Sequence, residues 1–152
     1  MIQFTYLFVN KFISIIIIIL ITIIILLSGY LYQDMGRVDK SIECFQRAVK
    51  IEPADVDTHV NLGLALKQEG RVHEAIKSYE RAIEVSPTCV MAHFNLGNTF
   101  QDMGNVQMAI KCFRNALQLD PRHTDALFNL AIALQDRSSL IPANKAQVII
   151  YN

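Results

Sequence analysis

The chain of 152 residues has no tryptophan, only three cysteines and only four prolines, and it has no excess of either charge. The odd set Cys44, Cys89 and Cys112 offers no paired disulfide framework, and no Asn-x-Ser/Thr acceptor occurs, so nothing indicates an oxidising compartment. Fourteen basic and fourteen acidic side chains cancel and are interleaved. That leaves no basic stripe for nucleic acid, and capture of a partner must rest on short-range complementarity rather than steering. A glycine-rich phosphate loop, a zinc-ligand cluster and a nucleophile elbow are also missing, so neither catalysis nor a cofactor or metal site is expected.

Charge is absent altogether from Phe12 to Gln33, where isoleucine and leucine dominate and Ser14, Thr22, Ser28 and Gln33 are the polar side chains. As a helix this stretch is roughly 33 Å long against about 30 Å of bilayer hydrocarbon, which predicts a single membrane-spanning helix over residues 12–33. A cleaved signal peptide is the alternative, but the apolar part outruns a usual h-region and no small-x-small site follows it. Arg37, Lys40, Arg47 and Lys50 follow the stretch while Lys11 and the terminal amine precede it, so the positive-inside bias predicts a single-pass protein with its carboxy-terminal part in the cytosol. If the apolar segment is translated non-coding sequence, the protein is instead soluble, cytoplasmic or nuclear.

Beyond the apolar segment the sequence repeats itself. Pro53, Pro87 and Pro121 stand 34 residues apart, and the same offset links Gly29, Gly63, Gly97 and Ala131. It also links Gly36, Gly70 and Gly104, then Ala48, Ala82 and Ala116, then Phe45, Tyr79 and Phe113. Leu62 and Leu66, like Leu96 and Phe100, have the four-residue spacing of one helical stripe. Gly70 and Gly104 fall where a chain must leave one helix and turn back, and Pro87 falls where the next helix must stop.

This pattern resembles the tetratricopeptide repeat, most closely in Asn61-Leu62-Gly63, Gly70-Arg71-Val72, Ala75-Ile76, Tyr79, Ala82-Ile83 and Pro87. The resemblance implies an all-α fold, antiparallel helix pairs stacked into a right-handed superhelix with a concave groove. Helices are predicted near residues 39–51, 55–69, 73–85, 89–103, 107–119 and 123–136. The chain then divides into a hydrophobic segment, 1–28, a repeat array, 29–136, and an irregular tail, 137–152.

The pattern breaks at both ends. Traced backwards, the first helix of the first copy falls at about 22–35, inside the apolar segment, with Ser28 where leucine is expected. Traced forwards, Ser138 replaces the turn glycine, Pro142 falls inside the next helix and Asn144 replaces an apolar residue. Either the array is tethered to a membrane and poorly capped, or it is cut from a longer repeat protein. Leu127, Leu130 and Leu134 on an unsealed last helix offer an edge for self-association.

For function the informative series is Asn61, Asn95 and Asn129, one per repeat in the interior of a first helix, where asparagine is a poor choice for propensity alone. The resemblance implies that this position faces the groove. There an amide, with two donors and an acceptor, suits the backbone of an extended peptide. Val60, Leu64, Phe94, Asn98, Phe128 and Ile132, with Met91, would line the groove, and Lys67, Gln101, Asp102, Gln135 and Asp136 would edge it. Duplication of one ancestral copy is the competing explanation for the asparagines.

The inner face is similar to that of the O-linked N-acetylglucosamine transferase family, and transmembrane-and-repeat mannosyl transferases share the combination of parts. Both imply an alternative, a substrate-recruiting piece of a protein glycosyltransferase without its catalytic domain. A carboxylate clamp for acidic tails is not expected, because Met91, Phe94 and Asp125 hold the places where cations are needed. His59 and His93 are read as packing residues, and Cys44 and Cys112 as ordinary thiols.

Overall fold

The computed structural model describes the backbone of residues 2–139 and the side chains of residues 10–137. Seven helices make up this part: α1 (Ile2–Asp34), α2 (Val38–Ile51), α3 (Val56–Gln68), α4 (Val72–Val85), α5 (Val90–Asp102), α6 (Val106–Leu119) and α7 (Thr124–Ser139). Each packs on its neighbour in the chain, and α3 also touches α5 and α5 touches α7, so first helices form one layer and second helices the other.

The turns repeat as the glycines do. Gly36, Gly70 and Gly104 have φ of 70°, 80° and 74°, a left-handed conformation that other residues adopt at a cost. In each turn the amide after the glycine donates to the carbonyl five residues back, as Arg71 does to Leu66 at 2.9 Å, and the glycine amide donates three back, as Gly70 does to Lys67 at 3.0 Å. The fourth place in this series is Ser138, and there the helix does not turn: α7 runs on to Ser139. The expected tail from residue 140 onward lies outside the described residues.

Between repeats the stop is made by proline. Glu52, Ser86 and Asp120, each just before a proline, have φ/ψ of −129°/81°, −135°/95° and −131°/93°, the extended backbone that the following ring imposes. Inside each pair the second helix carries one fully buried ring, Phe45, Tyr79 or Phe113, which lies on the glycine of the first helix. A Cβ at Gly29, Gly63 or Gly97 would come within 2.9, 2.5 or 2.6 Å of that ring, so no larger residue fits without movement. Ala131, with no such ring against it in the described part, is exposed.

The apolar segment and the first helix of the first repeat are one continuous helix. From Thr22 to Asp34, a length of 13 residues equal to that of α3 and of α5, α1 behaves as a repeat helix. Thr22, Ile25 and Gly29 are buried, Tyr30 meets Phe45 edge-on at 5.4 Å, and Arg37 and Lys40 lie over the Tyr32 ring at 5.4 and 5.7 Å. From Asn10 to Ile21 every residue is exposed. Residues 28 and 29, the expected boundary, fall mid-helix, and docking on α2 begins a full two turns earlier. Ahead of it the helix continues back to Ile2, with Ile18, Ile19 and Ile21 still lining grooves shared with α2.

Candidate functional site

The first helices α3, α5 and α7 bring Asn61, Asn95 and Asn129 to equivalent places, but their amides have different fates. Asn61 Nδ2 donates to Tyr30 Oη at 2.9 Å and to the Asp57 carbonyl at 2.8 Å, which uses both of its protons. Asn129 Nδ2 donates to Asn98 Oδ1 at 2.7 Å. Both inter-repeat bonds join residues 31 apart. At the middle rung the residue 31 before Asn95 is Leu64, which can accept nothing. Asn95 is only 7% exposed, and its Nδ2 has no hydrogen-bond partner.

The remaining groove residues divide by burial. Val60 lies in the core with Ala82 and Ala92. Leu64 is half-buried over the same cluster. Phe94 is wedged between the rings of Phe113 and His123, at centroid distances of 6.1 and 4.6 Å. Asn98 and Ile132 are half-buried, while Phe128 and Met91 stand out at 67% and 49% exposure. Across the edge, Lys67 Nζ meets Asp102 Oδ2 at 2.7 Å and ties α3 to α5. At the end of the array Leu130 and Leu134 pack on the α6 core, and Leu127 is exposed.

The histidines serve the frame. His59 and His93 are buried, and each Nε2 sits 3.0 Å from the carbonyl of the proline six residues earlier, Pro53 or Pro87, pinning the loop between repeats. His123 Nδ1 accepts from the Ala126 amide at 3.2 Å and so caps the start of α7. Burial pushes the Cys112 thiol up to about 11 and raises that of Cys44, which keeps both protonated and poor nucleophiles at neutral pH. No group of three or more His, Cys, Asp or Glu converges as metal ligands among the described residues. The asparagines, Phe94 and Phe128 were visible as a 34-residue series. The 31-residue pairing that sets the asparagines apart was not, because it links two different series, one headed by Tyr30 and one by Asn61.

The pattern described as "TPR repeat" matches residues 29–70 and 65–104, and that described as "Tetratricopeptide repeat" matches residues 90–123. The chain belongs to the tetratricopeptide repeat family. Among curated proteins none matches it. Solved tetratricopeptide structures share the fold. The first repeat domain of Spaghetti (RPAP3), bound to the HSP90 peptide SRMEEVD, superposes with a TM-score of 0.74 at 18% identity over 77% of this chain and 93% of that one. MamA gives 0.74 at 22% identity over 77% and 68%. The second repeat domain of human RPAP3, in complex with the HSP70 peptide SGPTIEEVD, gives 0.68 at 22% over 74% and 97%.

Proposed function

We propose that this tetratricopeptide array is a protein-interaction module that holds an extended segment of a partner protein in its concave groove. The observation that carries this reading is the Asn95 amide, buried without a partner between two rungs whose amides each donate to a side chain 31 residues earlier. An unpaired buried amide costs about 1–3 kcal/mol, which a backbone carbonyl of a segment that parts the side chains over Asn95 would recover. The flanking surface suits side chains of one kind. Met91, Phe94 and Phe128 are apolar, and the nearby cation Lys67 is held by Asp102. The RPAP3 neighbours hold peptides ending in EEVD. This groove, with Asp125 and no free clamp of cations, is expected to reject such tails and to prefer an uncharged, aliphatic or aromatic segment.

The same reading anchors the array at a membrane through α1. The part of α1 from Asn10 to Asp34 is long and apolar enough to cross one, by length and composition. Because Thr22, Ile25 and Gly29 are docked on α2, the lipid-facing part is taken as residues 2–21 rather than 12–33. Arg37, Lys40, Arg47 and Lys50 beyond it favour a cytosolic array.

The groove is tested by selecting binders to the full chain from a displayed library of random 12-residue peptides and measuring the affinity of variants for the best of them. Asn95→Leu is expected to weaken binding by about tenfold or more, from the loss of one buried hydrogen bond. Asn61→Leu, whose amide is already spent, should change it little. Leu64→Asn supplies an acceptor 31 residues before Asn95 and should weaken binding without loss of helical circular dichroism. Full affinity in both Asn95→Leu and Leu64→Asn would sink the idea.

A further inference from the structure

One groove of the molecule recurs later in the same chain with a third helix beside it. Between α4, α5 and α6 lies a groove of about 380 Å³ lined by His93, Leu96, Met108, Lys111, Cys112 and Asn115, with its third wall made by Glu80, Ile83 and Glu84 of α4. Between α1 and α2 lies a groove of about 420 Å³ lined by Ile25, Ser28, Lys40, Glu43, Cys44 and Arg47. These six residues stand 68 positions, two full repeat periods, before the six of the inner groove. The two grooves are therefore the same structural place, once walled on its third side by the second helix of the preceding repeat and once without that wall.

Ile21 and Ile24 of α1 line the open groove too, and α1 is one continuous helix from Ile2, so the described residues supply no second helix to wall it. Its lining also differs from the inner copy in how charge is placed. Lys40 and Arg47 replace Met108 and Asn115, and Glu43 replaces Lys111, so the first groove has two cations about two helical turns apart with a carboxylate between them, where the inner one has a single Lys111, and the six equivalent places carry the same net charge. The helix that walls the inner groove contributes Glu80, Ile83 and Glu84 to its lining, Glu84 being paired with Arg81 of the same helix at 2.9 Å.

We infer that the α1–α2 groove is the docking site for an acidic amphipathic helix of a partner protein, packed on α1 as α4 is packed on α5, with α2 forming the far wall as α6 does. An aliphatic side chain of that helix enters beside Ile24, Ile25 and Ser28, and carboxylates one to two turns apart meet Lys40 and Arg47. This interface continues the stacking of the array and is separate from the concave groove.

The test uses the full chain in detergent micelles and a fluorescent, helix-stapled probe with the sequence of residues 72–85. A second probe carries Glu80→Lys and Glu84→Lys. The first probe is expected to bind the native chain. Lys40→Glu with Arg47→Glu should weaken it about tenfold, and the second probe should bind that variant in preference to the native chain. Ser28→Trp, which fills the groove without altering its charge, should block the first probe. The proposal is overturned if the native chain binds neither probe or if charge reversal on the two sides fails to compensate. It is equally overturned if the native chain sediments as a dimer that Lys40→Glu with Arg47→Glu dissolves, since a second copy would then own the groove.

Discussion

Replacing Tyr79 by alanine is expected to remove about 3–5 kcal/mol of stability, most of what an array of this size has to spare. The ring is fully buried, rests on Gly63 and joins the cluster that also holds Phe45, Leu62, Leu66, Leu96 and Cys112. In a stack where each repeat touches only its neighbours, a cavity at this place uncouples the first pair of helices from the third. Thermal unfolding followed by circular dichroism should show a lower midpoint and a broader transition. Tyr79→Phe should go the other way. The hydroxyl is buried without a hydrogen-bond partner, burial raises its pKa well above the usual tyrosine value, and Phe45 and Phe113 fill the same place without it. Its removal is expected to stabilise by about 1 kcal/mol. A loss in Tyr79→Phe comparable to that in Tyr79→Ala would show that the hydroxyl is satisfied and that this view of the core is wrong.

How much of this was legible in the sequence follows from which residues act within one repeat and which act between two. Ring, glycine and proline act within a copy, so their 34-residue recurrence placed the helices within a few residues and named the core. The asparagine series was equally visible, yet its meaning depended on Tyr30, Leu64 and Asn98, which belong to another series and meet it only when consecutive first helices are laid side by side. The apolar segment carries two readings at once, as the phase of the repeat already indicated. Hydropathy counts composition without direction, whereas α1 after Thr22 has two faces, one packed on α2 through Ile25 and Gly29 and one exposing Ile23, Ile24, Leu27 and Leu31. The candidate span and the first helix of a repeat thus share one apolar run. Only packing against Phe45 separates them.

That separation makes a second large effect testable. Nine apolar residues lie between Phe12 and Ile21, contributing roughly 3–5 kcal/mol toward insertion on a scale of about 0.3–0.6 each. Ile15 and Ile16, 51% and 46% exposed, line neither the α1–α2 groove nor the contact with Ile51. Ile15→Asp with Ile16→Asp should therefore cost about 5–7 kcal/mol of insertion and shift the protein from the carbonate-resistant pellet to the supernatant, with the array still helical. Leu27→Asp lies in the docked part, one period before Asn61, and should leave partitioning unchanged if the span is made of residues 2–21. A span over residues 12–33 would instead place Leu27 in hydrocarbon, and Leu27→Asp would then release the protein as well. Lys11 sharpens the choice, since residues 2–21 put its ammonium near mid-bilayer at a cost of about 2.5–3.5 kcal/mol, so Lys11→Leu should deepen insertion by about that amount. The alternative register has to undock Ile25 and Gly29 from α2 and strip the Phe45 ring of its cover. Leu27→Asp and Lys11→Leu measured together decide whether the first repeat stays closed at the membrane.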